Sequence, residues 1–162
     1  MNNRSLTVAA AAGLILVSCG GVGSTGPAVE VGTGEKAYEI ISAGNPVGIV
    51  CGAQGGQHIW TAIRARNMDP SSVNIRITIR LASAAEPFCG FQLQGIQLGA
   101  STDGWFDFVG SRCFVYHPDQ VVGQDLIMEG VVTDSAGHTA TGASVPFRAN
   151  GPPVDCATGK AP

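Results

Sequence analysis

The clearest pattern in the chain is a strict alternation of apolar and polar residues over positions 73–81. Every odd-numbered residue from Val73 to Leu81 is aliphatic, and every even-numbered one is Asn, Arg or Thr. A helix would spread these aliphatic side chains around its circumference, whereas a strand places all of them on one face. β-Branched residues favour that role. The pattern predicts a half-buried antiparallel strand.

Weaker alternation predicts further strands, and no run of ten or more residues has helical spacing. Turn-forming clusters at 67–70 and 134–137 separate some of them, and Gly137 is expected to take a left-handed conformation in a hairpin. About seven short strands without helices predict an all-β, two-sheet antiparallel sandwich. The other predicted strands are residues 38–41, 47–50, 58–66, 91–98, 105–109, 125–133 and 139–147.

The segment at 126–141, LIMEGVVTDSAGHTAT, resembles the last two strands of bacterial Ig-like and fibronectin-III-like domains. The resemblance implies an Ig-like β-sandwich. Antibody-type domains carry a cysteine on the penultimate strand and a tryptophan on the third strand. This chain departs from them, because its penultimate strand has no cysteine and Trp60 lies on an earlier strand.

The first 19 residues have the three-part composition of a signal peptide. A polar start containing Arg4 is followed by an apolar run over 6–17 and a small residue before Cys19. The run is too short to cross a bilayer, which takes about 20 residues. The alternative interpretation of this run is a buried core helix. The glycine-rich segment that follows offers such a helix no surface to pack against. The sequence therefore predicts a signal peptide at residues 1–18.

Residues 16–19, Leu-Val-Ser-Cys, resemble the lipobox of bacterial lipoproteins. The resemblance implies that Cys19 becomes the mature N-terminus, carries a diacylglycerol on its sulfur and has an acylated amine. More than one acyl chain gives a stable membrane anchor. We expect attachment to the bacterial cell envelope through Cys19. In enteric bacteria, an Asp after the lipidated cysteine retains a lipoprotein in the inner membrane. Because Gly20 stands there instead, we expect the outer membrane, facing the periplasm or the surface.

The remaining chain divides into a tether and one domain. Residues 19–35 are glycine-rich, a composition typical of a flexible coil, and residues 36–162 suffice for one Ig-like domain. The formal net charge is −3, which argues against nucleic acid as a partner, because phosphate binding requires a clustered positive field.

Four cysteines remain once Cys19 is assigned to lipid, and an exported protein allows disulfides. Their spacing lacks the C-x-x-C pairs of a zinc site, and the residues alone leave three connectivities open. In an Ig-like strand order, the start of the second strand and the end of the last strand lie at the same end. This order implies a Cys51–Cys156 bond enclosing a Cys89–Cys113 bond.

The sequence has no recognisable catalytic or metal motif. His58, His117 and His138 have no paired spacing, and no nucleophile elbow, H-E-x-x-H helix or phosphate-binding loop is present. We assign no catalytic residues, metal or cofactor and expect a protein that is not an enzyme. The alternative left open is a small metal-binding protein or hydrolase that uses loops around His58 and His117.

The most unusual local sequence is residues 51–60, CGAQGGQHIW. Its glycines allow a tight turn, and Gln54 and Gln57 each offer a donor and an acceptor. Loops on a rigid sandwich commonly bind ligands, so Gln54, Gln57, His58 and Trp60 form a candidate ligand loop. The alternative is a structural turn with Trp60 in the core or at its rim. The sequence favours a non-catalytic module that binds or scaffolds an envelope protein or glycan.

Overall fold

The computed structural model describes residues 26–53, 55–151 and 156, so Cys19 and Gln54 lie outside the described residues. The described chain is nearly all β, which confirms the predicted class. No helix in this part of the chain is long and apolar enough to cross a membrane. The elements are β1 (Ala28–Thr33), β2 (Glu39–Ile40), β3 (Pro46–Cys51), β4 (Gln57–Arg66), β5 (Val73–Leu81), β6 (Pro87–Ile96), β7 (Gly99–Ala100), β8 (Phe106–Phe114), α1 (Pro118–Val121), β9 (Asp125–Thr133), β10 (Thr139–Ala143) and β11 (Phe147–Asn150).

The eleven described strands form one curled, mixed sheet. Its main path is β2-β1-β4-β3-β11-β9-β5-β6, while β8 pairs with β4, β7 with β8, and β10 with β9. The expectation of purely antiparallel pairing is wrong, because β11 runs parallel to β3, with Ala149 opposite Val47. β10 and β11 follow one another along the same edge of β9. β11 is antiparallel to β9, and its other edge pairs with β3 in the parallel direction.

The strongest sequence pattern corresponds to β5, with the predicted bounds. Val73, Ile75, Ile77 and Ile79 are fully buried, and β5 lies between β6 and β9. The predicted hairpin is also present, joining β9 to β10, and Gly137 has a φ of +87°. Alternation over nine residues was sufficient to fix both the type and the ends of this strand.

The packed domain begins earlier than predicted. β1 lies inside residues 19–35, which were assigned to the flexible tether, and it pairs along β4. Val29 and Val31 are buried, so the coil expected across this range is wrong for residues 28–33. The reason is that a short Val-Glu-Val alternation between glycines gains its stability from β4 rather than from its own composition.

β8 is longer than the predicted strand at 105–109. Gly110, with a φ of +75°, lies where the β4–β8 register shifts between Thr61 and Ile63. A β-bulge of this kind interrupts the alternation without ending the strand. The continuation to Phe114 was missed for this reason, and it brings Arg112 and Phe114 into β8.

The core lies where the two halves of the curled sheet face each other. Gly130 on β9 packs so closely that an added Cβ would lie 2.5 Å from Val31 Cγ1 and 2.6 Å from Ile63 Cδ1. Both aliphatic side chains belong to the opposite half, on β1 and β4. The largest fully buried apolar side chains are Ile59, Ile63, Ile75, Ile77, Ile79, Leu126, Met128 and Phe147.

The cysteines pair as Cys51–Cys156 and Cys89–Cys113, the pairs that the Ig-like order implied. The first bond spans 105 residues of sequence and the second spans 24. In the chain-entropy model, a loop of the larger size contributes about 4 to 5 kcal/mol. The second bond links β6 to β8, two strands that form no pairing with each other in the described chain.

Gly130→Ala is expected to lower the free energy of unfolding by about 1 to 3 kcal/mol, because the added methyl group overpacks the contact with Val31 and Ile63. The matched control is Gly48→Ala on exposed β3, where the nearest atom to the new methyl group is Val50 Cγ1 at 4.0 Å. Urea unfolding of both variants measures the difference. Equal stability of the two variants would contradict the close packing.

Candidate functional site

The predicted ligand loop is the hairpin that joins β3 to β4. The Gly52 N–H donates to the Gly56 carbonyl at 2.7 Å, and the Gly55 N–H donates to the Gly52 carbonyl at 3.0 Å. Gly55 has a φ of +85°, a conformation that favours glycine. Cys51 fixes the base of the hairpin through its bond to Cys156. Gly55 is therefore needed for the turn itself.

His58 lies on a strand, as the predicted strand at 58–66 implies, but it is not an exposed member of the candidate ligand loop. It lies on β4 and is 2% exposed, and neither ring nitrogen has a hydrogen-bond partner among the described residues. Its ring meets Trp60 edge to face, with 4.5 Å between centroids, and lies 6.2 Å from the Phe114 ring. Gln57 beside it is half-buried at the start of the same strand. Trp60 and Phe114 thus enclose His58, and Gly52 of the hairpin lies close to its ring.

Burial lowers the pKa of His58 below its ordinary value, because the charged ring loses solvation. The positive charge of Arg112 acts in the same direction, and the negative charge of Glu35 opposes both. These charges lie on β8 and in the β1–β2 connection, respectively. His58 is consequently held neutral near pH 7.

Trp60 is half-buried and carries Arg112 on its ring. The Arg112 guanidinium carbon lies 5.1 Å from the ring centroid, a cation–π arrangement. Trp60 pairs directly with Arg112 in the β4–β8 register. Trp60 therefore supports the position of Arg112 and is not itself a freely exposed anchor.

An open groove runs along the seam between β6 and β8. We define the aromatic groove by Phe88, Phe91, Arg112, Phe114 and Tyr116. Two adjoining cavities of about 350 and 510 Å³ share Phe91, Arg112 and Phe114 as lining residues. The side chains of Phe114 and Tyr116 are 47% and 81% exposed, which is unusual for large aromatic residues.

The candidate hairpin adjoins this groove. A third cavity, of about 300 Å³, is lined by Gly55, Gly56, Gln57, Phe114 and Tyr116, among others. A Cβ added at Gly56 would lie 3.8 Å from the Phe114 ring. The hairpin predicted from the sequence is therefore one wall of a larger aromatic surface.

Arg112 is the one charged side chain among the described residues that line the aromatic groove. It is exposed and forms no ion pair within the described chain. Three other sheet arginines differ in this respect, whereas Arg66 and Arg76 also form no ion pair within the described chain. The carboxylate partners are Glu30 for Arg64, Glu129 for Arg80 and Asp125 for Arg148. The groove therefore has positive charge available for an anionic group.

The aromatic groove lies at the end of the domain opposite its N-terminal entry. On β4, Arg66 pairs with Ala28, where the described strands begin, and His58 pairs with Phe114. These two points are about 26 Å apart at the usual rise of a strand. The groove thus lies at the far end of β4 from the start of β1.

The other end of the same face holds an arginine and aromatic stack. Trp105 has the guanidinium carbons of Arg64 and Arg66 each 4.6 Å from its centroid, and Arg64 also lies 4.3 Å from the Tyr38 centroid. Trp105 is only 7% exposed. Because Trp105 is buried beneath the two guanidinium groups and Arg64 binds Glu30, we interpret the stack as structural.

The remaining histidines are separate from the groove-lining set. His138 pairs with Asp134, with 2.9 Å between Nδ1 and Oδ2, and His117 lies exposed immediately before α1. Burial acts to raise the pKa of Asp134, but hydrogen bonds from His138 and from the amide of Asp69 outweigh it and lower this pKa to about 2. Within the described residues, no group of three or more His, Cys, Asp or Glu could hold a metal ion.

Arg112, Phe114 and Tyr116 are the functional candidates that sequence reasoning missed. They alternate with Cys113 and Val115, which are buried, so the period-two pattern continues through this segment. The unusual feature is that the exposed positions hold aromatic residues. This alternation could have identified an exposed aromatic face beyond the bulge at Gly110.

No protein-family model matches this chain, and no curated protein matches it in sequence. The candidate site is therefore defined by geometry alone.

His58 predicts a loss of stability on mild acidification. Since the folded pKa lies below the unfolded value of about 6.5, the unfolded chain takes up the proton first, and stability falls as pH drops through 6.5 towards the folded pKa. Urea unfolding at pH 7.5 and pH 5 should show a decline in wild type that is smaller in His58→Leu. His117→Gln is the control and should keep the wild-type decline. An unchanged decline in His58→Leu would refute this assignment.

Proposed function

We propose that this chain is a lipid-anchored, non-catalytic binding module of the bacterial cell envelope. The observation that carries the proposal is the aromatic groove, in which Phe114 and Tyr116 expose large apolar area at the distal end of the domain. Exposed aromatic side chains beside an unpaired arginine are typical of surfaces that bind a partner. The bound partner is an envelope protein or glycan.

We propose further that the curled sheet is an Ig-like β-sandwich. Its support is the strand order, with β1, β4 and β8 as neighbours in one half and β6-β5-β9-β10 in the other. An Ig sandwich has its strands A, B and E in one sheet, and C′, C, F and G in the other. The Cys89–Cys113 bond then links C′ to E, a different pair from the B–F bond of antibodies.

The membrane anchor is proposed at Cys19, following a signal peptide at residues 1–18, with the outer membrane as its address. Residues 16–19 support it through the lipobox pattern. Because β1 begins at Ala28, the chain between Cys19 and the domain reaches at most about 30 Å. The domain would therefore remain close to the membrane.

Binding suits the groove better than catalysis. Its described walls are mainly aromatic rings, glycines, Leu93, Pro87 and the disulfide-bonded Cys89, with Ser111, Arg112 and the Tyr116 hydroxyl as polar members. Aromatic walls with a few oriented polar groups supply affinity and specificity. General acid–base chemistry needs a positioned group that titrates near the working pH, and His58 is enclosed by Trp60 and Phe114.

Cys19→Ala is expected to release the protein from the membrane fraction, since the mutant has no sulfur to carry lipid. Cell fractionation and metabolic labelling with a fatty acid analogue measure both effects. Cys19→Ser serves as the matched control for cysteine loss and should behave as Cys19→Ala does. A mutant that stays membrane-bound, together with an unlabelled wild type, would disprove the anchor.

A photo-crosslinking residue at Tyr116 is expected to capture an envelope component in the producing cells, because this position is exposed in the groove. The second substitution Phe114→Ser should abolish capture by removing apolar contact area. Val145 provides the control position, since it is 44% exposed and does not line the groove. Equal capture from Tyr116 and Val145, or capture that survives Phe114→Ser, would count against the groove as the binding site.

A further inference from the structure

We infer that the aromatic groove binds a proline-rich, extended peptide segment carrying a carboxylate, with the carboxylate paired to Arg112. This inference rests on the proposed function and names the partner chemistry. It follows from three properties of the groove: its aromatic walls, its small number of hydrogen-bonding side chains, and its single unpaired cation.

The walls match a ligand with rigid apolar surface. Phe88, Phe91, Phe114 and Tyr116 place four aromatic rings along two adjoining cavities, with Pro87 at one end. Aromatic-lined grooves bind polyproline II segments because these segments are already extended and lose little conformational entropy on binding. The open form of the groove allows such a segment to lie across the seam between β6 and β8.

The small number of polar side chains in the aromatic groove argues against a glycan as its ligand. Of the described side chains lining the two cavities, Ser111, Arg112 and Tyr116 are the polar ones. A sugar brings many hydroxyl groups, and each one desolvated without a partner costs free energy. Proline has no backbone N–H, so a proline-rich segment leaves few donors unsatisfied against aromatic walls.

Strand addition is not the mode of binding here. Cys89 and Cys113 hold β6 and β8 with 5.8 Å between their Cα atoms, and neighbouring strands are about 4.8 Å apart. There is no space for another strand between them at the disulfide. The ligand must therefore contact side chains over the seam, which again favours a segment that does not depend on its backbone N–H groups.

The charge of Arg112 specifies the anionic group. Its guanidinium is held against Trp60 and is exposed, without an ion pair in the described chain. An arginine can bind a carboxylate through two parallel hydrogen bonds. Arg112 lies opposite Trp60, six residues along β4 from Arg66, which pairs with Ala28. It is therefore about 20 Å from the start of β1, a separation that favours a partner over the lipid headgroups beside the proposed anchor.

A phage-displayed library of random short peptides, selected on the mature protein from Cys19 onward, tests the inference. Enriched peptides are expected to combine several prolines with an Asp or Glu. Enrichment of peptides without proline or without an acidic residue would overturn it, as would a failure to enrich any sequence above background.

The selected peptide, synthesised free, then locates the contact by fluorescence anisotropy. Phe114→Ser and Arg112→Gln should each weaken binding at least about tenfold, as expected for central interface residues, while Val145→Ser and Arg148→Gln are the matched controls and should not. A peptide in which the acidic residue is replaced by its amide should bind Arg112→Gln as tightly as the acidic peptide binds that variant, because the ion pair is already lost. Additive losses would overturn the ion pair.

Failure of the peptide assignment and failure of the proposed binding function give different experimental results. Groove-dependent capture in cells, combined with peptides that bind elsewhere or lack proline, would leave the groove as a binding site and remove the peptide assignment. Binding of chito-oligosaccharide in the groove, detected by loss in Phe114→Ser, would likewise overturn the peptide in favour of a glycan. Loss of groove-dependent capture in cells would reject the proposed function itself.

Discussion

The close approach of the two halves of the curled sheet at Gly130 is the constraint on which the rest of the fold depends. The contact of Gly130 with Val31 and Ile63 leaves no space for a side chain. β1 and β4 can therefore pack against β9 directly, and β4 can be buried on its inner face while β1, β3 and β8 pair along its edges. A protein interior packed at this density has little freedom to adjust.

The same packing explains why a groove exists. The curled sheet brings β6 and β8 next to each other without pairing them, and the Cys89–Cys113 bond spans the seam. Aromatic side chains from the two strands cover part of the seam and remain partly exposed. An unpaired seam of this type would favour non-specific association of strand edges. The disulfide limits that association by holding the two edges together.

Regular alternation made part of the fold predictable. β5 was correct in type and bounds because its alternation is uninterrupted, whereas the start of the domain at β1 was missed among glycines. The parallel pairing of β3 with β11 could not be predicted from local pattern, since it depends on where the chain arrives after leaving β9. The site followed the same rule: the hairpin after Cys51 was identified, but the burial of His58 is set by Trp60 and Phe114.

The groove also shows how an arginine is kept available on a domain in which Arg64, Arg80 and Arg148 form ion pairs. Trp60 provides a surface that positions Arg112 without neutralising its charge, because a cation–π contact leaves the guanidinium edge free to donate hydrogen bonds. A carboxylate within the chain would have removed that capacity. His58 beneath Trp60 is neutral near pH 7, so it contributes no charge there. Among the described residues that line the groove, its positive character comes from Arg112.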